Sequence, residues 1–297
     1  MDCKEIIRGA YDLHVHSAPD VLPRKMTDVG MAKRIIESGM AGYVMKSHFF
    51  CTSERGALIE EMFPGVECIG SICLNSAVGG INPTAVEMAC RSGAKIVWFP
   101  TCDGEEERRH TFSNPNKKLP FWAHIIIEMK EAGIESPTIN CLDENGELTK
   151  DVLDVLDIIA KYNAILATGH LSHEEVYKIV PEAAKRGVKN ILITHATFPT
   201  TFFSIEDQKK FVEQGAMIEH CHTTWATGKC PWETVVEQIR AIGPENIVLG
   251  TDLGQPALCY PDEGMMEWAD KLLAEGFTAE EIRTMMVTNP RKLLGKK

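Results

Sequence analysis

His14 and His16 close a short apolar run near the start of the chain, Ala10-Tyr11-Asp12-Leu13-His14-Val15-His16. Side chains alternate across a strand, so both imidazoles leave the same face. Two neutral imidazoles that converge on one point suit a borderline divalent ion such as zinc. Three more residues of ligand type end later strand-like runs: His170 after Thr168-Gly169, His195 after Ile191-Leu192-Ile193-Thr194, and Asp252 after Val248-Leu249-Gly250-Thr251. Brought together, these residues offer imidazoles and a carboxylate while leaving a position for water, which is the character of a catalytic zinc site. Such an ion lowers the pKa of its bound water towards ~7, and a carboxylate such as Asp252 can take the proton.

The elements that must position these residues are readable from apolar runs. Residues 10–16, 41–49, 66–74, 94–101, 164–168, 190–194, 216–222 and 246–251 read as eight strands. Most are rich in Val, Ile and Leu and apolar on both faces, as buried parallel strands are. Helical patterns run between them over residues 27–38, 83–92, 150–162, 174–186, 205–214, 231–241 and 264–275. Gly39 and Gly93 stop the first two, and Ser172 with Glu175 has the spacing of a capping box. Thr278 opens a terminal helix with Glu281 three residues on.

Eight alternations over residues 1–297 predict one α/β domain, a parallel (β/α)8 TIM barrel. Its active site lies at the C-terminal ends of the strands. The barrel sets strands one and eight side by side, with five and six across the mouth. A doubly wound open sheet is the competing architecture, but no GxGxxG follows the first strand. The one long stretch without a regular pattern, residues 102–119, reads either as a lid over the mouth or as a surface excursion.

Composition narrows the function. A formal net charge of −11 argues against nucleic acid as a partner, because a phosphate-backbone binder shows a basic face. The basic clusters are short, at Arg108-Arg109, Lys117-Lys118 and Lys296-Lys297, and the last of them reads as solvated surface. No apolar run reaches the ~20 residues of a membrane span, and the first residues lack the apolar segment of a signal peptide. The ten cysteines form no CxxC pair and read as reduced, mostly buried thiols of a cytoplasmic protein. A small-molecule substrate and a homodimer are the expected partners.

The pattern resembles the amidohydrolase superfamily across nearly the whole chain. His14 and His16 match its HxH on strand one, His170 its strand-five histidine, His195 its strand-six histidine, and Asp252 its strand-eight aspartate. The resemblance implies a hydrolase that uses one or two divalent ions, Zn2+ foremost and Mn2+ or Fe2+ as alternatives. The bond attacked would be an amide, ester, lactone or phosphoester. By the same resemblance Asp252 is both ligand and general base, and His195 binds a second metal or polarises the substrate. A finer resemblance, to a cytosolic subgroup with no assigned substrate, rests on residues 12–20, Lys46-Ser47-His48, Leu74-Asn75, residues 79–83 and Val97-Trp98-Phe99-Pro100-Thr101.

The chain departs from that pattern at strand four. Many members bridge two metals there with a lysine carbamate or a glutamate, whereas this run ends Phe99-Pro100-Thr101-Cys102-Asp103. Cys102 reads as a buried thiol. Strand two ends Lys46-Ser47-His48 instead, with Lys46 and His48 sharing a face. If that face points inward, His48 adds a ligand, and Lys46 binds an anionic substrate or bridges as a carbamate.

Two other readings stand beside the amidohydrolase. Phosphoesterases of the polymerase-and-histidinol-phosphatase (PHP) type open with a similar Asp-x-His-x-His but usually close with Asp-x-His, where this chain has Asp252-Leu253-Gly254. The third reading is a metal-binding barrel without hydrolytic activity, a decarboxylase or a small-molecule sensor.

Outside the cage, Asn75 at the end of strand three is a candidate for a substrate hydrogen bond. Arg24 is a candidate for bidentate contact with a carboxylate or phosphate. In Glu219-His220-Cys221-His222 either Glu219 and Cys221 or His220 and His222 face the mouth. His173 is expected at a solvent-facing helix start, and His124 in an amphipathic helix away from the site.

Overall fold

The computed structural model describes residues 2–113 and 118–296. Lys297 and residues 114–117, in the middle of the predicted lid, lie outside them. The strands are β1 (Tyr11–Val15), β2 (Gly42–Met45), β3 (Glu67–Ile69), β4 (Ser71–Cys73), β5 (Ile96–Trp98), β6 (Ile165–Ala167), β7 (Asn190–Ile193), β8 (Ala216–Cys221) and β9 (Ile247–Gly250). Neighbours pair in parallel, in the order β1-β2-β3 and then β4 through β9. Asp252 N–H donates to the His14 carbonyl and His16 N–H to the Leu253 carbonyl, each at 2.8 Å, so the last stave is bonded to the first. The fold is a (β/α)8 barrel in which β3 and β4 are two halves of one stave.

That split corrects the single strand expected over residues 66–74. Gly70 interrupts it because the start of the helix Ser53–Met62 presses on this point: a Cβ on Gly70 would lie 2.2 Å from Ser53 Cα. Thr52 fills the break. Its hydroxyl donates to the Met45 carbonyl at 2.7 Å and accepts from Ser71 N–H at 2.9 Å. The lower half then pairs with β2 and the upper half with β5.

The helices start where their caps are. Thr27 caps Asp28–Ser38, and Gly39 ends it at φ +75°. Lys150–Tyr162 has the predicted bounds. Ser172 with Glu175 and Thr278 with Glu281 both form capping boxes, each such cap contributing about 1 kcal/mol. Residues 102–119 are less irregular than expected, since Glu105–Phe112 form a helix. Its buried side chains are Glu107, Arg108 and Thr111, so it has no apolar stripe to read. Three glutamates in its first turn and Arg109 and His110 in its last complement the helix dipole.

Two apolar clusters hold the barrel together. The larger lies between strands and helices. The smaller draws Tyr11 and Leu13, Val44, Ile69, Cys73, Ile96 and Trp98, Ile165 and Ala167, Leu192, Met217 and Val248, at least one from every strand, and so fills the interior. Among the described residues no helix is long and apolar enough to cross a membrane. All ten cysteines are free, seven of them buried.

Candidate metal centre

The histidine pair faces inward because β1 carries a bulge. Tyr11 and Asp12 stand opposite Gly42 and Tyr43, but Val15 stands opposite Met45, so one extra residue lies in β1. Tyr11 and Leu13 already point into the barrel, and strict alternation would send His14 and His16 outward. The extra residue reverses the alternation above Leu13. His14 Nε2 and His16 Nε2 then meet the same oxygen, Asp252 Oδ1, at 3.3 and 3.1 Å.

Two more strand ends complete the cluster. His195 Nε2 lies 4.0 Å from Asp252 Oδ2, which also accepts from Thr223 Oγ1 at 2.8 Å. The His170 ring centroid lies 5.1 Å from that of His195. His195 and Asp252 both have positive φ, 51° and 53°, outside a glycine. Such backbone costs of order 1–3 kcal/mol and clusters where a side chain must be aimed.

A ring of acceptors orients these groups. Glu219, fully buried, takes His14 Nδ1–H at 3.1 Å and the backbone N–H of His195 at 3.2 Å. His16 Nδ1 lies 3.0 Å from the Lys46 carbonyl and Nε2 3.1 Å from Asp252 Oδ1, so with an ion held at Nε2 the Nδ1–H would donate to that carbonyl. Glu107, from the helix in the predicted lid, takes His170 Nδ1–H at 3.1 Å and the Thr200 hydroxyl at 2.6 Å. Against burial, His170 and these hydroxyl contacts hold the Glu107 carboxyl at about 2. Asp12 ties β9 to β1 by accepting from Thr251 Oγ1, from Thr251 N at 3.0 Å and from His14 N at 3.1 Å. Burial pushes its carboxyl up to about 7.

The donor set fits a divalent cation. His14, His16 and Asp252 each offer a ligand atom, and the three lie within 4.8 Å of one another. A second group of the same span, His14, His195, Glu219 and Cys221, shares His14. His170 Nε2 and His195 Nδ1 are buried with no hydrogen-bond partner, an expensive arrangement unless something else binds there. Burial holds the imidazoles of His16 and His195 well below their usual value, in the neutral form that ligates metal. Although burial raises Asp252, His14 and the hydrogen bond from His16 hold its carboxyl well below the carboxylate range.

The other expected residues divide. Lys46 points inward, its Nζ 2.8 Å from His14 Nε2 and 4.4 Å from the Trp98 ring centroid. Among the described residues no carboxylate pairs with it. His48 also turns inward, its centroid 4.9 Å from that of His16, but its Nδ1 is engaged by Thr101 at 2.9 Å. Asn75 is fully buried and occupied: its amide donates to the His48 carbonyl and Thr101 Oγ1 and accepts from Thr101 N. Arg24 is ion-paired to Asp20 at 2.7 Å, close beside His16. In β8 the mouth-facing pair is Glu219 and Cys221, and Cys221 Sγ lies 3.6 Å from His14 Nδ1. Cys102 is a buried thiol, and His173 is exposed and stacked on Phe203. His124 is exposed on the helix Phe121–Glu131.

One glycine makes the close approach of the last stave to the first. Gly254 has φ +137°, and a Cβ there would lie 1.8 Å from the His16 carbonyl oxygen. Gly254→Ala is therefore expected to destabilise the fold by about 3 kcal/mol or more in urea unfolding. A change within about 0.5 kcal/mol, the range of neutral surface substitutions, would contradict this packing.

Comparison with known proteins agrees with this architecture. A model of a family of unknown function (DUF6282) matches residues 9–219. The chain belongs to that family. The matched stretch holds His14, His16, Lys46, His170, His195 and Glu219 but not Cys221, Thr223 or Asp252. A family protein CutC from Enterococcus faecalis is 30% identical over 152 residues, 49% of this chain and 71% of that protein. Among solved structures, a Pseudomonas aeruginosa amidohydrolase superposes with a TM-score of 0.63 at 10% identity, covering 99% of this chain and 98% of that one. A probable dipeptidase from the same organism gives 0.64 at 11% identity, covering 99% and 96%. A lactonase from Listeria monocytogenes gives 0.61 at 12% identity, covering 100% and 97%. The DUF6282 chain thus has the barrel fold of the amidohydrolase superfamily.

Proposed function

We propose that this protein is a metal-dependent hydrolase of a small, anionic substrate, acting on an amide, ester, lactone or phosphoester bond. The observation that carries the reading is the convergence of His14 and His16 on Asp252, with His195 beside them and His170 adjacent, at the mouth of a barrel. The solved barrels of similar fold include proteins described as a lactonase and as a probable dipeptidase, which supports hydrolysis as the reaction type.

Zn2+ is the ion best matched to neutral imidazoles and one carboxylate, with Mn2+ and Fe2+ as alternatives. A bound ion supplies a Lewis acid that lowers the pKa of water to ~7. The chain supplies the rest. His14, His16 and Asp252 would hold the ion, and His170 and His195 would complete its shell or face the substrate. Asp252 stays ionised and would receive the proton, while Thr223 holds its Oδ2. Glu219 and Glu107 keep His14 and His170 in the ligating tautomer. Lys46 is buried and, among the described residues, forms no ion pair, and so would offer its ammonium to the substrate. Ten unpaired thiols fit a reducing cytoplasm.

The test is a panel of small esters, lactones, amides and phosphoesters, each with and without a carboxylate, assayed on metal-loaded protein. Turnover is expected for the anionic members, lost on chelation and restored by Zn2+. Lys46→Met is expected to raise KM for them roughly 10–100-fold, the equivalent of one charged hydrogen bond, with a smaller effect on neutral analogues. Turnover indifferent to chelation, or none on the panel by metal-loaded protein, would count against the reading.

A further inference from the structure

A second cluster of donors lies outside the barrel mouth. His222 follows β8 and opens the short helix His222–Ala226. Glu267 lies on the helix Pro261–Ala274, and Cys259 in the loop just before it. One donor atom from each falls within 4.8 Å of the others, close to the span that two ligand bonds of ~2.0–2.3 Å allow. His222 Nε2 is 2.7 Å from Glu267 Oε2. His222 is only 2% exposed, and its Nδ1 is buried without a hydrogen-bond partner. Cys259 is partly exposed and Glu267 exposed, so the cluster opens to solvent. None of the three belongs to the cage around His14.

We propose that His222, Cys259 and Glu267 form a separate thiolate-containing site for a zinc-class divalent ion. An imidazole, a thiolate and a carboxylate are a borderline donor set, which favours Zn2+ over Mg2+ or Ca2+. Binding releases the Cys259 proton to solvent and leaves a fourth position for water. The three ligands come from the end of β8, the loop after β9 and the following helix. One ion therefore fastens the helix Pro261–Ala274 to the rim of the barrel. His222 also precedes Thr223, the residue that holds Asp252 Oδ2, so the clamp braces the strand end that supports the mouth.

Co2+ titration of the full chain tests this independently of any hydrolytic activity. The expected result is a thiolate-to-cobalt absorption band, together with quenching of tryptophan fluorescence. The His222 ring lies 4.6 Å from that of Trp225, which makes Trp225 the nearest reporter. Cys259→Ser is expected to abolish the band, and Glu267→Gln, on a half-exposed side chain, to shift it to higher Co2+ concentration. Cys221→Ser, which removes the thiol at the mouth, and Asp252→Asn, which disables the mouth itself, are expected to keep it. Absence of the band, its persistence in Cys259→Ser, or its loss in Cys221→Ser would each overturn the proposal.

Discussion

Asp252→Asn is expected to abolish turnover and to strip the metal from the mouth, with the fold intact. The substitution keeps the size of the side chain and an oxygen able to accept from Thr223. It removes the negative charge on which His14 and His16 converge at 3.3 and 3.1 Å. Loss of a general base alone lowers rates about 10²–10⁴-fold, and loss of a charged ligand adds to that. The checks are metal content after purification without chelator, kcat/KM on the best substrate, and circular dichroism. Unchanged activity in a folded, metal-bearing variant would remove Asp252 from the chemistry.

Glu219→Ala is expected to damage both stability and metal binding. Glu219 is buried on the axis of β8 and accepts from His14 Nδ1 and from the backbone N–H of His195. Truncation leaves both donors buried and unpaired, at about 1–3 kcal/mol each. A stability loss of about 2–6 kcal/mol in denaturant unfolding is the expected sum. Metal affinity is expected to fall roughly 10–100-fold, because His14 loses the partner that sets its tautomer. Glu219→Gln separates the two effects. Its amide oxygen can still accept from His14 while its NH2 faces the His195 N–H, so about half of the stability loss is expected, while the imidazole becomes less basic and affinity still falls. Equal affinity in wild type and both variants would show that Glu219 does not orient a ligand.

The strand ends and the helix caps could be read from the chain because both rest on local chemistry. Apolar runs marked the staves, and Ser172 with Glu175 marked the cap of a helix expected one residue later than it starts. The histidine pair was readable as two side chains on one face, but not as an inward face. That depends on an extra residue in β1, which shows only against the register of β2. Gly70 hid in an apolar run because its reason is the backbone of Ser53, a contact from another element. The helix at Glu105–Phe112 escaped because it buries charge rather than a stripe of Leu and Val. Its Glu107 is held by His170 and Thr200, residues far along the chain. Glu219 stood in the sequence with two alternative faces, and only the packing of β8 against His14 chose between them. Lys46 was legible as a charge at a strand end; that no carboxylate among the described residues pairs with it is a tertiary fact.

The central claim is that the mouth of this barrel holds a divalent ion between His14, His16 and Asp252. Anomalous diffraction from crystals of protein purified without chelator and supplied with Zn2+ tests it most directly. A zinc peak within ~2.0–2.2 Å of His16 Nε2 and a carboxylate oxygen of Asp252 is the result the account predicts. Ordered His14, His16 and Asp252 with no anomalous density between them, in crystals that contain zinc, would contradict it.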